Sequence, residues 1–301
     1  MIYQISLQYF IQLILPSIFL WELFRKSYPS KLVWIVKVLF SCLVLLFIFK
    51  MARWDLTSNY LRWLLVILFI PAVWVSYKNI SDASDEDSSI TFFISHGILI
   101  IGLVGLNFSV FKGYNYPNPA INLSFPLAGG SYYIGGGGTS RWLNNHTAYP
   151  AQDFALDIVK LNAFGNRALG IWPQDLSQYE IYSDSVFSPC KGKVSKTEDG
   201  HDDQIPPNRD TKHLAGNHLV ITCQGVDILM AHLKKFSINV SPGDSVISGQ
   251  FVGKVGNSGN TTQPHLHIHA EVGGNAVEIL DGKGYPITFS GRFLVRNNLV
   301  W

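Results

Sequence analysis

A helical membrane anchor followed by a mainly-β domain is the architecture this chain predicts. Three observations carry that expectation. Charged residues are only 15% of the 301 residues and hydrophobic ones 48%, against about 25% charged in an average soluble protein. The imbalance is uneven: apolar runs crowd the first third, whereas glycine, proline and histidine crowd the rest. Finally, His265, His267 and His269 alternate with Leu266 and Ile268, the period-two signature of a strand whose imidazoles share one face. The boundary falls near residue 112, giving an anchor over 1–112 and a second domain over 113–301.

A bilayer-spanning helix needs about 20 mostly apolar residues. Four segments qualify: Ile5–Phe24, Leu32–Phe49, Leu61–Tyr77 and Thr91–Phe111. Pro16 and Pro71 fall inside two of them, which membrane helices tolerate. Trp21, Trp34, Trp54, Trp63 and Trp74 stand at or near segment ends, where amphipathic rings favour the lipid–water interface. The first segment has no basic leader and no small-residue cleavage site, so it reads as a retained anchor. Lys37 and His96 are ionisable groups at membrane depth and read as structural, Lys37 snorkelling and His96 neutral against a neighbour.

Orientation does not follow from charge. Arg25, Lys26, Lys31 and Lys78 fall on one side, and Lys50, Arg53, Arg62 and Lys112 on the other. The count that decides topology is therefore even. The acidic residues Asp82, Asp85, Glu86 and Asp87 of the third loop count little.

Net charge is +2, and no lysine/arginine cluster of the kind nucleic-acid binders carry is present. Of three cysteines, Cys42 lies in an apolar run and reads as a packed side chain. Cys190 and Cys223 have no CxxC spacing, so a cysteine zinc site is not expected. They could pair in an oxidising compartment.

In the second domain, Gly113–Pro126 reads as an extended linker. The run Gly135–Gly138 follows a strand over Ser131–Ile134 but lacks the lysine and helix of a phosphate loop, and reads as a flexible loop at a site rim. Glu198–Lys212 reads as an exposed polar loop, with His201 and His213 solvated. His218 reads as structural. There is no HExxH for a helix-borne zinc site and no GxSxG for a serine nucleophile.

The order of motifs is GNHLVI at 216–221, AHL at 231–233, VSPGDSVISGQFVGKVGNSG at 240–259 and PHLHI at 264–268. Together they resemble the lysostaphin-type, LytM-like zinc metallopeptidases over roughly Phe125–Val272. The resemblance implies an antiparallel-sheet peptidase domain that holds Zn2+ through His146, Asp157 and His267. It also implies His265 as general base and His232 as stabiliser of the developing oxyanion, two roles the sequence does not separate. The usual HxxxD motif is altered here. Asp153, not histidine, stands four residues before Asp157, and the nearest upstream histidine is His146. Two readings follow: His146 is the ligand with an insertion looped out, or Asp153 takes the place.

The implied function is a membrane-anchored zinc endopeptidase cutting peptide bonds in peptidoglycan, with its C-terminal domain outside a bacterial cytoplasm. Its partners are then the bilayer and the peptidoglycan peptide, with no nucleic acid and an unassigned protein partner for the helices. Trp142, Tyr149 and Phe154 are candidate groove walls. The alternative is a degenerate domain that binds cell wall or regulates a partner hydrolase.

Overall fold

A computed structural model describes residues 2–81, 89–274 and 279–301. The acidic loop residues Asp82, Asp85, Glu86 and Asp87, and Glu278, lie outside the described residues. The chain divides into two compact units, Met1–Phe111 and Lys112–Trp301.

The first unit is helical: α1 (Ile2–Tyr9), a π turn (Phe10–Ile14), α2 (Leu15–Arg25), α3 (Lys31–Met51), α4 (Leu61–Lys78) and α5 (Ile90–Lys112). Pro16 has no N–H to return to residue 12, and the π turn lies immediately before it, a combination that absorbs the lost bond. Four helical stretches, Ser6–Arg25, Lys31–Met51, Leu61–Lys78 and Ile90–Lys112, are long and apolar enough to cross a bilayer. At 1.5 Å rise per residue, the 21 residues of α3 span about 31 Å, close to a hydrocarbon core.

Between apolar helices in lipid, packing and polar links hold the bundle, because lipid tails are as apolar as leucine. Trp34 Nε1 donates to Ser76 Oγ at 2.9 Å, and Asn107 Nδ2 donates to the Leu43 carbonyl at 3.1 Å. Leu20, Leu23, Val33, Leu45 and Ala72 form one buried cluster. Two sequence expectations change. Lys37 pairs with Glu22 at 3.8 Å, a partner on α2 that the apolar run of α3 could not reveal. Trp54 is fully buried with Ile48 and Ala52, so it is a core ring and not an interfacial one. His96 is held on its own helix, Nδ1 lying 3.0 Å from the Phe92 carbonyl.

The second unit contains thirteen strands among the described residues: β1 (Ile121–Leu123), β2 (Ser131–Gly136), β3 (Leu156–Leu161), β4 (Ser185–Phe187), β5 (Gly192–Glu198), β6 (Asn217–Cys223), β7 (Val226–Leu233), β8 (Ser245–Val246), β9 (Phe251–Lys254), β10 (Leu266–Val272), β11 (Lys283–Gly284), β12 (Ile287–Phe289) and β13 (Leu299–Val300). Nine of them form one sheet in the order β13-β2-β3-β10-β7-β6-β5-β8, with β11 beside β10. Every pairing in it is antiparallel. Two small ribbons, β1–β12 and β4–β9, complete the unit.

The alternation in β10 decides the faces. Leu266, Ile268 and Ala270 enter the main core with Leu156, Ile158, Leu219, Ile221, Ile228 and Met230. Each such side chain contributes about 1.5–3 kcal/mol by leaving water. His267, His269 and Glu271 are thereby turned to the opposite face, where they are also buried.

The glycine run departs from expectation. Gly135 and Gly136 belong to β2, and Gly135–Gly138 are all buried. A Cβ on Gly137 would stand 2.6 Å from Leu156 Cδ2 and 2.9 Å from Ile134 Cγ2. These glycines serve close packing, not mobility.

Cys190 and Cys223 form a disulfide, with Cα atoms 6.3 Å apart across 33 residues of sequence. It ties the turn before β5 to the end of β6. A loop of that length stabilises the fold by about 3–4 kcal/mol in the chain-entropy account. Replacing both cysteines by serine is therefore expected to lower the denaturation midpoint without changing the secondary structure. A reduced wild type should unfold at that same lowered midpoint, which a urea titration with circular dichroism reads out.

Candidate metal centre

The site is built on two adjacent strands. Register places His267 of β10 directly opposite Asp157 of β3, so their side chains meet on the face away from the main core. His267 Nδ1 lies 3.0 Å from Asp157 Oδ1. The third group arrives from outside the sheet. His146 sits in a short 3-10 turn, Asn145–Ala148, capped by Asn144, whose Oδ1 accepts from the His146 N–H at 3.1 Å. Asn144 is fully buried and also donates to the carbonyls of Gly138 and Ala155, at 3.0 and 3.1 Å. These bonds hold the inserted residues against β2 and the start of β3.

His146 Nε2 then lies 3.0 Å from both carboxylate oxygens of Asp157. One ligand atom from each of His146, Asp157 and His267 lies within 4.8 Å of the others. Asp153 does not join this cluster. It lines a cavity of about 500 Å3 together with Phe154, Arg141 and Thr147. The cavity also places Phe154, a candidate groove wall, among polar neighbours. Trp142 and Tyr149 are exposed.

The outer partners set which nitrogen carries a proton. His146 Nδ1 lies 2.9 Å from Gln152 Oε1, an acceptor, so Nδ1 carries the hydrogen and Nε2 presents a lone pair. His267 Nε2 lies 2.9 Å from His269 Nδ1, and His269 Nε2 lies 3.8 Å from Glu271 Oε1. The Glu271 carboxylate accepts in turn from the Leu280 and Gly282 N–H groups, at 3.3 and 3.0 Å. Alternate positions 267, 269 and 271 thus form a line running back from the site. A histidine whose far nitrogen is held this way is the usual outer arrangement of a metal ligand.

Two more imidazoles flank the cluster. His265 Nε2 lies 3.5 Å from Asp157 Oδ1, and its Nδ1 faces the Gln263 carbonyl at 2.8 Å. His232 Nδ1 faces the Ser258 carbonyl at 2.8 Å. The ring centroids of His232 lie 4.8 Å from His265 and 5.9 Å from His267. Both carbonyls are acceptors, so both rings hold their hydrogen on Nδ1 and present a bare Nε2.

His232 reaches this face through a break in strand parity. It has φ of 62°, in the left-handed region where histidine is several-fold enriched among non-glycine residues. The β6–β7 register shifts between Asn217 and Leu219 at this point, and Leu233 turns into the main core. Without that bulge, His232 would share the core face with Met230.

The electrostatics separate the groups. Burial opposes ionisation of Asp157, but His146 and His265 outweigh it and hold its carboxyl well below the usual range. Burial opposes the His146 imidazolium too, yet Asp157 prevails and raises it. Burial pushes His267 down to about 3 and depresses His232 and His269. A buried neutral histidine has its folded pKa below its unfolded value of about 6.5. The unfolded chain then binds more protons at acid pH, so this contribution is whole above about 6.5 and is lost as pH falls below it. His146 acts in the opposite sense, but it is one group against three. The metal-stripped protein is therefore expected to melt lower at pH 5 than at pH 7.5 in a thermal scan.

In the sequence, Gly136 reads only as part of a flexible run at a site rim. It pairs with Asp157 across β2 and β3, and a Cβ there would lie 3.0 Å from Asp157 Oδ2. His269, Glu271 and Gln152 were also missed as partners. For His269 and Glu271 the signal was present, since both extend the same period-two face.

The class these features define is an antiparallel-sheet, peptidase-like domain with a His-Asp-His cluster. Residues 179–279, about a third of the chain, match Peptidase family M23. The matched stretch includes His232, His265 and His267, and ends short of His146 and Asp157 on the N-terminal side.

No curated protein matches the chain. Among solved structures, lysostaphin in solution is 20% identical over 40% of this chain and 37% of its own, with a TM-score of 0.26. The catalytic domain of the antimicrobial peptidase lysostaphin from Staphylococcus simulans is 21% identical over 36% of this chain and 79% of its own, with a TM-score of 0.23. A zinc containing peptidase from Vibrio cholerae is 22% identical over 38% and 46%, with a TM-score of 0.23. The chain spans little more than a third of the whole lysostaphin chain.

Proposed function

We propose that this protein is a membrane-anchored, zinc-dependent endopeptidase acting on peptide bonds of peptidoglycan, with residues 113–301 outside the cytoplasm. The observation that carries the reading is the convergence of His146, Asp157 and His267, ligand atoms within 4.8 Å, beside the imidazoles of His232 and His265. The donor set fits zinc. His146 Nε2 and His267 Nδ1 converge on an ionised carboxylate at 3.0 Å, and a cation between them would take one lone pair from each ring. Two imidazoles and one carboxylate are three ligands of a catalytic zinc site, which leaves a position open. When bound, Zn2+ supplies Lewis acidity toward water and the scissile carbonyl.

The chain's own groups supply the rest. His265, with Nδ1–H on the Gln263 carbonyl, presents Nε2 as the base that takes a proton from the attacking water and returns it to the leaving amine. The resulting imidazolium stands 3.5 Å from Asp157. His232 is the partner of the developing oxyanion. Its Nδ1–H is committed to Ser258, so it donates from Nε2 only once protonated. Burial keeps it neutral at rest, so this donation requires a second proton, taken up from solvent as negative charge grows on the substrate.

The four apolar helices support anchoring in a bilayer. The disulfide supports an oxidising compartment, where such bonds persist. The test is release of new amino termini from purified peptidoglycan by the full chain in detergent, with zinc present. Cleavage supports the reading. Zinc bound at this cluster with peptidoglycan retained and no cleavage overturns it in favour of a binding domain.

A further inference from the structure

A second cluster of metal-ligating side chains lies in the long connection between β5 and β6, apart from the centre described above. His201, Asp210 and His213 each bring one ligand atom within 4.8 Å of the other two. The two imidazole rings stack, with centroids 4.1 Å apart. His213 Nδ1 lies 2.7 Å from Asp210 Oδ2, and His201 Nε2 lies 2.7 Å from Glu198 Oε1. Sequence alone reads both histidines as separate and solvated, being 12 residues apart in a polar loop.

We propose that His201, Asp210 and His213 bind a second divalent transition-metal ion of the zinc class, in a structural role. Two imidazoles and a carboxylate are borderline ligands that suit zinc over calcium or magnesium. Ligand atoms on one tetrahedral zinc stand about 3.3 Å apart, from bonds of roughly 2.0–2.1 Å. The ligand atoms lie within 4.8 Å of one another, and side-chain rotation of the exposed His213 has room to close what remains. A separate observation points to the same place. His218 is buried, its Nε2 has no hydrogen-bond partner, and it stands 3.9 Å from Glu198 Oε2. A cation beside Glu198 draws that carboxylate into the cluster and gives the cluster a fourth group.

The backbone shows what such an ion would hold. The loop is bonded to the turn Asn257–Thr261, which precedes the histidine strand. Asp210 N–H donates to the Gly259 carbonyl at 2.9 Å, Asn260 N–H to Leu214 at 3.0 Å, and Gln204 N–H to Asn257 at 2.9 Å. Ser258, in the middle of that turn, accepts from His232 Nδ1. The ion would staple a loop that itself braces the turn orienting His232. Ordering a loop by a bound ion shifts stability by mass action, so zinc should raise the melting temperature through this cluster independently of the first.

The experiment measures zinc per chain at saturation by atomic emission, on the full chain in detergent. Wild type, His213→Ala, His201→Ala/His213→Ala and His267→Ala are compared, each with a melting curve with and without zinc. Two ions in wild type, one in the double variant and one in His267→Ala, with a zinc-dependent rise in melting temperature surviving in His267→Ala, support the proposal. His213→Ala, at an exposed position, should alone weaken the second ion without lowering the zinc-free melting temperature. A single ion in wild type that the double variant keeps overturns the proposal and leaves the first centre standing. Equal zinc content in wild type and double variant also overturns it. A single ion in wild type that His267→Ala keeps and the double variant loses counts against the catalytic centre alone, so the two failures are separable.

Discussion

His267→Ala is expected to abolish both zinc retention at the His146–Asp157–His267 centre and peptide hydrolysis while leaving the disulfide and the sheet intact. His267 supplies the only candidate ligand from β10, and its Nδ1 faces Asp157 at 3.0 Å. Lewis-acid assistance is worth several kcal/mol of transition-state stabilisation, and each 1.36 kcal/mol is a factor of ten. Activity should therefore fall by roughly 10³-fold or more. Asp157 is left with His146 and His265, so the carboxylate still has partners and the fold should survive. Zinc analysis after chelator competition, beside peptidoglycan turnover, checks both halves. Full activity in the variant would remove His267 from the centre.

His265→Ala should separate chemistry from metal binding. The ring is held by the Gln263 carbonyl and Thr261 Oγ1, at 2.8 and 3.1 Å, and lies outside the three-residue cluster. Zinc content should stay at the wild-type level while kcat falls by about 10²–10⁴-fold, the usual contribution of a positioned general base. KM should change little. An unchanged kcat would transfer the base role to His232.

Much of this centre was legible in the amino-acid order because it lies on strands. Period-two alternation through His265, His267 and His269 identifies one face, and β10 is that strand. Asp157 follows the same logic in β3. What the order could not show is how faces combine. The eleven-residue gap from His146 to Asp157 left Asp153 as a rival, and only the buried Asn144 cap explains how the intervening turn returns His146 to the sheet. His232 was legible as a histidine at a strand end, but its left-handed φ was not, so the face it serves could not be read. The glycine run looked mobile because glycine permits mobility; here Leu156, Ile134 and Asp157 crowd those positions and leave no room for a side chain. His201 and His213 seemed independent because ring stacking across a loop has no periodicity.

In the helical part, segment lengths were readable to within a few residues because each apolar run is bounded by charged or turn-forming residues. The Lys37–Glu22 pair was not, since it depends on which helices are neighbours.

The left-handed backbone at His232 changes how that residue must be interrogated. Alanine keeps the conformation that already costs the histidine, also an L-residue, about 1 kcal/mol or more, and so removes the ring alone. Glycine accepts that dihedral freely, so His232→Gly removes the ring and relieves the main-chain strain together. Comparing the alanine and glycine versions would therefore separate proton chemistry from main-chain geometry.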